Sequence, residues 1–214
     1  MARKTIFFDL DGTLIDSRPG IFHCFRETLA MMGERVPSDK ELVPVIGPPL
    51  SDGFSFFIKD TLRIAAAVDM YRAMYKAGAM FEAEVYPGIL EALEELSSTN
   101  DLLCVTSKTR EYAEQIVSHF GLNRFIRKVY GPEPDGLLAN KKTLIGHVLK
   151  TEGIAIHSAV MVGDTFYDID GARGNTIRSV GVLWGFGTPE DLMDADIVIQ
   201  SPDQLVSVIE QIFE

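Results

Sequence analysis

The sequence predicts an α/β fold: a Rossmann-like parallel sheet flanked by helices, with a small all-helical domain inserted after the first strand. Three observations carry this prediction. Short apolar runs alternate with amphipathic stretches along most of the chain, the pattern of parallel strands joined by crossover helices. From Asp16 to about Glu84 that rhythm breaks and the pattern is helical, with no clear strand. Acidic residues close the first apolar run and a later one, at the strand ends where open parallel sheets bind ligands.

The first strand is expected over residues 5–8, Thr5-Ile6-Phe7-Phe8, and stops at Asp9. In the insertion, Ile21, Phe25, Leu29 and Met32 share one helical face, and Ser17 and Pro19 supply its start. A second long helix is expected from about 62 to 81, with Ala65, Val68, Met70, Met74 and Ala77 inside it. Gly47-Pro48-Pro49-Leu50 separates the two. The alternation resumes at Val85-Tyr86-Pro87-Gly88. Ile89, Leu90, Leu93 and Leu96 form a helical face before a strand over 102–105. Ile116, Val117 and Phe120 form the next, with Gly121 as its C-cap, before a strand over 128–130. Leu144, Ile145, Val148 and Leu149 lead to a strand over 159–162. Strands over 179–183 and 197–199 follow, and Leu205, Ile209 and Ile212 mark a last helix.

The 214 residues, 46% of them hydrophobic, suffice for one sizeable core and a small satellite domain. A net charge of −11 repels phosphate backbones, which argues against duplex nucleic acid as a partner. A small phosphorylated metabolite remains open, provided lysines and a metal reverse the sign locally. Cys24 and Cys104 lie far apart and form no C-x-x-C, which points to a reducing compartment. No stretch approaches the ~20 apolar residues of a membrane span. A cytoplasmic protein that does not enter membranes is expected, either a monomer or a small homo-oligomer.

The chemistry begins at Asp9-Leu10-Asp11-Gly12-Thr13-Leu14. Residues i and i+2 of a strand point to one face, so where the chain turns at Gly12 both carboxylates reach one small volume. Like charges that close repel unless a cation or a proton separates them. The pair therefore points to a metal site, a shared proton, or both. A solvated turn would use the same residue types. A calcium loop of the EF-hand kind would carry a third acidic position before its glycine and would lie between helices.

This hexapeptide resembles motif I of the haloacid dehalogenase superfamily, most of whose members are Mg²⁺-dependent phosphatases that pass through an aspartyl-phosphate. Three later segments resemble the remaining motifs, in order, so the resemblance spans essentially the whole chain. Thr106, followed by Ser107-Lys108, ends the run 102–105 as motif II does. A hydroxyl and neighbouring N–H groups there hold phosphate oxygens without adding charge. Many relatives carry Asn where Ser107 stands. Lys141 and Lys142 open a helix as the motif III lysine does, a position that opposes the helix dipole and so points to function. The family spacing favours Lys141 over Lys142. Gly163-Asp164-Thr165-Phe166-Tyr167-Asp168 resembles motif IV, G-D-x-x-x-D. The run 179–187 resembles the last strand and Gly-rich turn of phosphoglycolate-phosphatase-like members.

The resemblance implies that Asp9 is the nucleophile and Asp11 the acid/base group. Mg²⁺ would be held by Asp9, Asp164 and the backbone carbonyl of Asp11. Asp168 would stand behind these ligands, bonded to waters or to Lys141, with Asp170 an exposed helix residue. Thr106, Ser107 and Lys141 would bind the phosphoryl group. Residues 1–15 and 85–214 would form the core and 16–84 the helical C1 cap, whose Arg18 and Gly47 are candidate substrate contacts. The implied substrates are 2-phosphoglycolate or, alternatively, nucleoside 5′-monophosphates. A phosphomutase of the β-phosphoglucomutase type shares all four motifs. Asp11 argues against the dehalogenase branch. None of Lys40, Lys59 and Lys76 has a context that singles it out as the Schiff-base lysine of phosphonate hydrolases. A signalling receiver domain lacks the helical insertion, and a non-catalytic binding module needs no acid/base residue. His23, His119, His147 and His157 form no ligand pattern.

Overall fold

The computed structural model describes residues 3–47, 49–133 and 136–214, so Pro48 of the Gly47-Pro48-Pro49-Leu50 break lies outside the described residues. In chain order the elements are β1 (Lys4–Phe8), β2 (Ile15–Asp16), α1 (Arg18–Met31), α2 (Asp39–Leu42), α3 (Leu50–Ser55) and α4 (Thr61–Ala77). Then come β3 (Glu84–Val85), α5 (Ile89–Thr99), β4 (Asn100–Val105), α6 (Arg110–His119), β5 (Ile126–Tyr130) and α7 (Lys141–Glu152). β6 (Ala159–Gly163), α8 (Phe166–Gly174), β7 (Arg178–Val182), β8 (Ile197–Ile199) and α9 (Leu205–Phe213) complete the chain, with short 3-10 turns between elements. The chain divides into two compact units, one of residues up to Asp16 together with Val85–Glu214, the other of Ser17–Glu84.

The first unit is built on a six-stranded sheet in the order β5-β4-β1-β6-β7-β8, with every neighbouring pair parallel. The chain runs outward from β1 through β4 to β5, then crosses back to β6 and runs outward the other way. The order therefore reverses between β1 and β6, and the crevice beyond the carboxyl ends of such strands is where ligands bind. Parallel strands covered on both faces read as continuous apolar runs. β6 is buried along its whole length, and Ile6, Phe7 and Phe8 of β1 are buried too. Phe7 pairs in register with Leu103 on one side and Met161 on the other. The three join Leu144, Ile145 and Val148 of α7 and Ala172 of α8 in one core cluster. Each of the larger side chains, Ala172 apart, contributes about 1.5–3 kcal/mol on burial.

β2 and β3 form a separate two-stranded sheet, so short strands border a stretch that the sequence reads as purely helical. Tyr86 N donates to Leu14 O at 3.2 Å. In α5 the buried face is Ile89, Ala92, Leu93 and Leu96, with Leu90 only half-buried. α6 ends as its sequence predicts, with Gly121 left-handed at φ 69° just past the last turn.

The second unit packs α1, α3 and α4 around aromatic rings. Phe25 lies 4.4 Å from Phe54 and 5.2 Å from Tyr71, centroid to centroid, and Tyr71 stacks on Tyr75 at 5.7 Å. Two sequence expectations need correction here. α4 ends at Ala77 rather than continuing to 81, because Gly78 takes φ 148°, a conformation open to glycine but not to a helix. Its buried seam is Ala67, Tyr71 and Tyr75, while Ala65 and Ala77 are exposed. The two rings and Ala67 reach the core, while Val68, Met70 and Met74 are half-buried. Ser17 also does not cap α1 with its side chain. α4, in contrast, is capped by Asp60, which accepts from Leu62 N and Arg63 N at 2.8 and 3.1 Å. Among the described residues no helix is long and apolar enough to cross a membrane.

Candidate active site

The site is assembled where β1, β4 and β6 end, joined by the first turns of α7 and α8. Asp9 extends the β1 ladder by one bond, its N–H donating to Val162 O at 2.9 Å. The chain then turns at Gly12, whose φ is +85°. A Cβ there would lie 2.1 Å from Asp164 Oδ2, so glycine is required both by conformation and by space.

Lys141 sits at the start of α7, which Asn140 caps by accepting from Lys142 N and Thr143 N. Its Nζ lies 2.6 Å from Asp9 Oδ1 and 2.8 Å from Asp168 Oδ1, with the lysine side chain 3% exposed. Lys142 is exposed. Of the two lysines left open by the sequence, the structure brings Lys141 into the cluster. Asp168 accepts from Thr165 N and Thr165 Oγ1 through its other oxygen, at 3.1 and 2.8 Å. Both of its oxygens are therefore engaged. Asp164 is held on both sides as well: Thr13 Oγ1 donates to Oδ1 at 3.2 Å and Phe186 N to Oδ2 at 2.7 Å. Trp184 Nε1 in turn donates to Thr13 O at 3.0 Å.

Carboxylate oxygens of Asp9, Asp164 and Asp168 lie within 4.8 Å of one another. Three carboxylates against one ammonium leave the cluster short of positive charge. Burial pushes the Asp9 carboxyl up to about 6; Lys141 pulls it back, while Asp168 and Asp11 push it further. Burial likewise pushes Asp164 up to about 8, with Asp168 and Asp9 adding to the rise and the Phe186 N–H and Thr13 hydroxyl opposing it. Burial alone would lower the Lys141 ammonium, but the charges of Asp168 and Asp9 outweigh it and hold the group above its ordinary value. An all-oxygen donor set with unbalanced negative charge suits a hard divalent cation such as Mg²⁺.

The Asp11 carboxylate is not part of that cluster. Its Oδ2 lies 3.1 Å from Lys108 Nζ. Thr106 is buried at the end of β4. Its N–H donates to Tyr130 O at 3.0 Å, and its Oγ1 accepts from Lys108 N at 3.2 Å. The hydroxyl proton of Thr106 is what remains to donate. Ser107 is exposed on the following loop. Arg18, the first residue of α1, and Gly47, with φ 99°, belong to the second unit and are not members of the carboxylate cluster. All four histidines are exposed, and none belongs to it either. Asp170 is half-buried and pairs with Arg173 at 3.1 Å.

Three contributors carried no assigned role in the sequence reading: Lys108, Thr13 and the turn from Trp184 to Gly187. Lys108 and Thr13 stand inside the quoted motifs, but which carboxylate each reaches depends on strand pairing. In the turn, a Cβ on Gly185 would come 2.3 Å from Gly12 O and 2.4 Å from Asp164. Repeated glycines after a strand were the available signal. The second unit has a groove of about 550 Å³ between α3 and α4, lined by Ser55, Ile64, Val68 and Arg72 among others, well apart in sequence from these residues.

Residues 6–182 match the family model of the haloacid dehalogenase-like hydrolases. The chain belongs to that family. It is 39% identical over 189 residues to a 5′-nucleotidase of Pseudomonas aeruginosa, covering 87% of this chain and 86% of that protein. It is 34% identical to the tyrosine-protein kinase PtkA of Mycobacterium tuberculosis, over 86% of this chain and 63% of that one. A haloacid dehalogenase-like hydrolase of Streptococcus pneumoniae has a solved structure that superposes with a TM-score of 0.90 at 34% identity, covering 97% of this chain and 98% of that one. Membership makes the chain an enzyme, a hydrolase of the phosphatase kind, on a parallel α/β core.

Proposed function

We propose that this hydrolase is a Mg²⁺-dependent phosphate monoesterase that works through an aspartyl-phosphate on Asp9. The observation that carries the reading is the buried Asp9–Lys141 contact of 2.6 Å beside Asp164 and Asp168, with the Asp11 carboxylate held apart. Asp9 and Asp164, with the backbone carbonyl of Asp11, would hold Mg²⁺, and Asp168 would orient Lys141 behind them. Bound there, the ion supplies positive charge to the phosphoryl oxygens. Lys141 offsets the repulsion between the anionic nucleophile and a phosphoryl dianion. An oxygen of Asp9 bonds to phosphorus as the bond to the leaving oxygen breaks, and Asp11 gives that oxygen its proton. Asp11 then takes a proton from a water that attacks the aspartyl-phosphate. Phosphate leaves and Asp9 is restored. The Thr106 hydroxyl and the Ser107 loop support the phosphoryl group.

A nucleoside 5′-monophosphate is the substrate class favoured by the 39%-identical relative. 2-Phosphoglycolate is the second reading, favoured by the run 179–187. The second unit is proposed as the substrate-selecting cap, with Arg18 and Gly47 as its substrate contacts. The net charge of −11 favours a small metabolite over duplex nucleic acid or a membrane as partner. A cytoplasmic monomer or small homo-oligomer fits this reading. The relative named a kinase and the mutase-type members raise the same question, namely what accepts the phosphoryl group.

Phosphate release with Mg²⁺ from nucleoside 5′-monophosphates, 2-phosphoglycolate, hexose phosphates and an aryl phosphate tests the reading, with Asp9→Asn as control. One substrate well above the aryl phosphate, lost in the variant, supports it. Release no greater than in Asp9→Asn rejects water as the acceptor.

A further inference from the structure

We propose that Lys108 is a positioning residue: it holds the Asp11 carboxyl group through Oδ2, so that Oδ1 is the oxygen that exchanges the proton with the leaving group. This rests on the monoesterase reading above and deepens it.

Four observations converge. Lys108 Nζ lies 3.1 Å from Asp11 Oδ2, and the two side chains are only 12% and 20% exposed. A pair so shielded is not the solvated, screened kind that contributes little. The lysine is itself fixed at its root, since Lys108 N donates to Thr106 Oγ1. That turn closes β4, which pairs with β1 in the register Phe8 to Cys104, so the lysine arises beside the strand end that carries Asp11. Finally, Asp11 Oδ1 is buried yet makes no hydrogen bond with the described residues. A buried polar atom left without a partner costs free energy and calls for a reason.

The two carboxylates of the first motif are thereby divided between two lysines. Lys141 serves Asp9, and Lys108 serves Asp11. With Oδ2 committed, the side chain has one oxygen free to face a reacting group. In the first half-reaction the proton on Oδ1 passes to the leaving oxygen as its bond to phosphorus breaks. Asp11 is left anionic beside a cation already in place, which needs no reorganisation at that moment. In the second half-reaction Oδ1 takes the proton of the attacking water, and the cycle closes.

A positioning role for the acid has a signature that a phosphate contact or a packing role lacks. Good leaving groups depart without a proton and poor ones do not. The experiment measures kcat/KM with Mg²⁺ for 2,4-dinitrophenyl, p-nitrophenyl and phenyl phosphate in wild type, Lys108→Met, Lys108→Arg, Asp11→Asn and Asp9→Asn. kcat/KM reports the step in which the leaving group departs. Lys108→Met should lose less than about threefold on the dinitrophenyl ester and about 10- to 100-fold on the phenyl ester, part of a general acid's usual effect. Asp11→Asn should show the same slope more steeply, and Lys108→Arg should recover much of the phenyl loss. Equal losses across the series, or no loss on any ester, would overturn the role of Lys108 and leave the monoesterase reading standing. Wild-type rates no greater than those of Asp9→Asn on every ester would overturn both.

Discussion

Lys141 Nζ lies 2.6 Å from Asp9 Oδ1, although 132 residues separate the two along the chain. The contact joins the end of β1 to the first turn of α7 in a place nearly closed to water. There a positive charge at a helix start, unfavourable for the helix alone, is set against buried carboxylates that need it.

Replacing Lys141 should therefore cost far more than replacing its neighbour. Lys141→Ala is expected to lower kcat by about 10²- to 10³-fold, the usual loss when one stabilising group is removed from a charged transition state. Lys142→Ala should stay within about twofold of wild type, since surface changes away from such features do little. Aryl phosphate turnover against the Asp9→Asn background decides this. Similar losses for both would count against the assignment.

Stability should depend on pH in a direction set by Asp9 and Asp164. Their carboxyls are raised from an ordinary value of 3.8 to about 6 and about 8. A group whose folded pKa is raised contributes stability below its unfolded pKa and loses it as pH rises through the folded one. In chelator, Tm should fall between pH 5.5 and 8.5 as these two groups give up their protons. The comparison belongs above pH 5, because Glu152, lowered to about 2, contributes in the opposite sense at lower pH.

Mg²⁺ should reverse that loss. At about 100 times Kd a ligand adds about 2.7 kcal/mol. The rise in Tm should be large at pH 8 and small at pH 5.5, where the ion must displace protons. An equal rise at both pH values would mean that the ion binds away from these carboxylates.

Gly185→Ala tests the turn that closes on Asp164. The new Cβ would lie 2.4 Å from Asp164 Oδ2. Overpacking of this kind costs about 1–3 kcal/mol. Because the atom displaced is a proposed Mg²⁺ ligand, the variant should also need more Mg²⁺ for half-maximal activity. Thermal melts and a Mg²⁺ titration of activity read the two effects separately.

Phe7→Ala probes the sheet that carries the site. Phe7 is fully buried between Leu103 and Met161. The substitution should cost about 3–5 kcal/mol. A shift of the urea midpoint with an unchanged slope would locate the effect in the native core.

Much of this protein is legible along the chain because its signals are local. Continuous apolar runs mark the strands and a period of 3.6 most helices, and four short motifs mark the strand ends and helix start where the candidate site lies. The end of α4 was less legible: the apolar pattern runs on to 81, but Gly78 at φ 148° stops the helix at Ala77. Which face of α4 is buried was decided by packing, where Tyr71 meets Phe25 and Phe54.

The sequence by itself determined the α/β class, the helical insertion, the pair Asp9 and Asp11, and the motifs at Thr106, Lys141 and Asp164. The tertiary structure decided that β1 lies between β4 and β6, that Lys141 rather than Lys142 meets Asp9, and that Asp11 turns to Lys108 instead of joining Asp164 and Asp168. Those choices depend on strand order and register between segments far apart along the chain. No local pattern encodes them, because they come into being only when the strands pair.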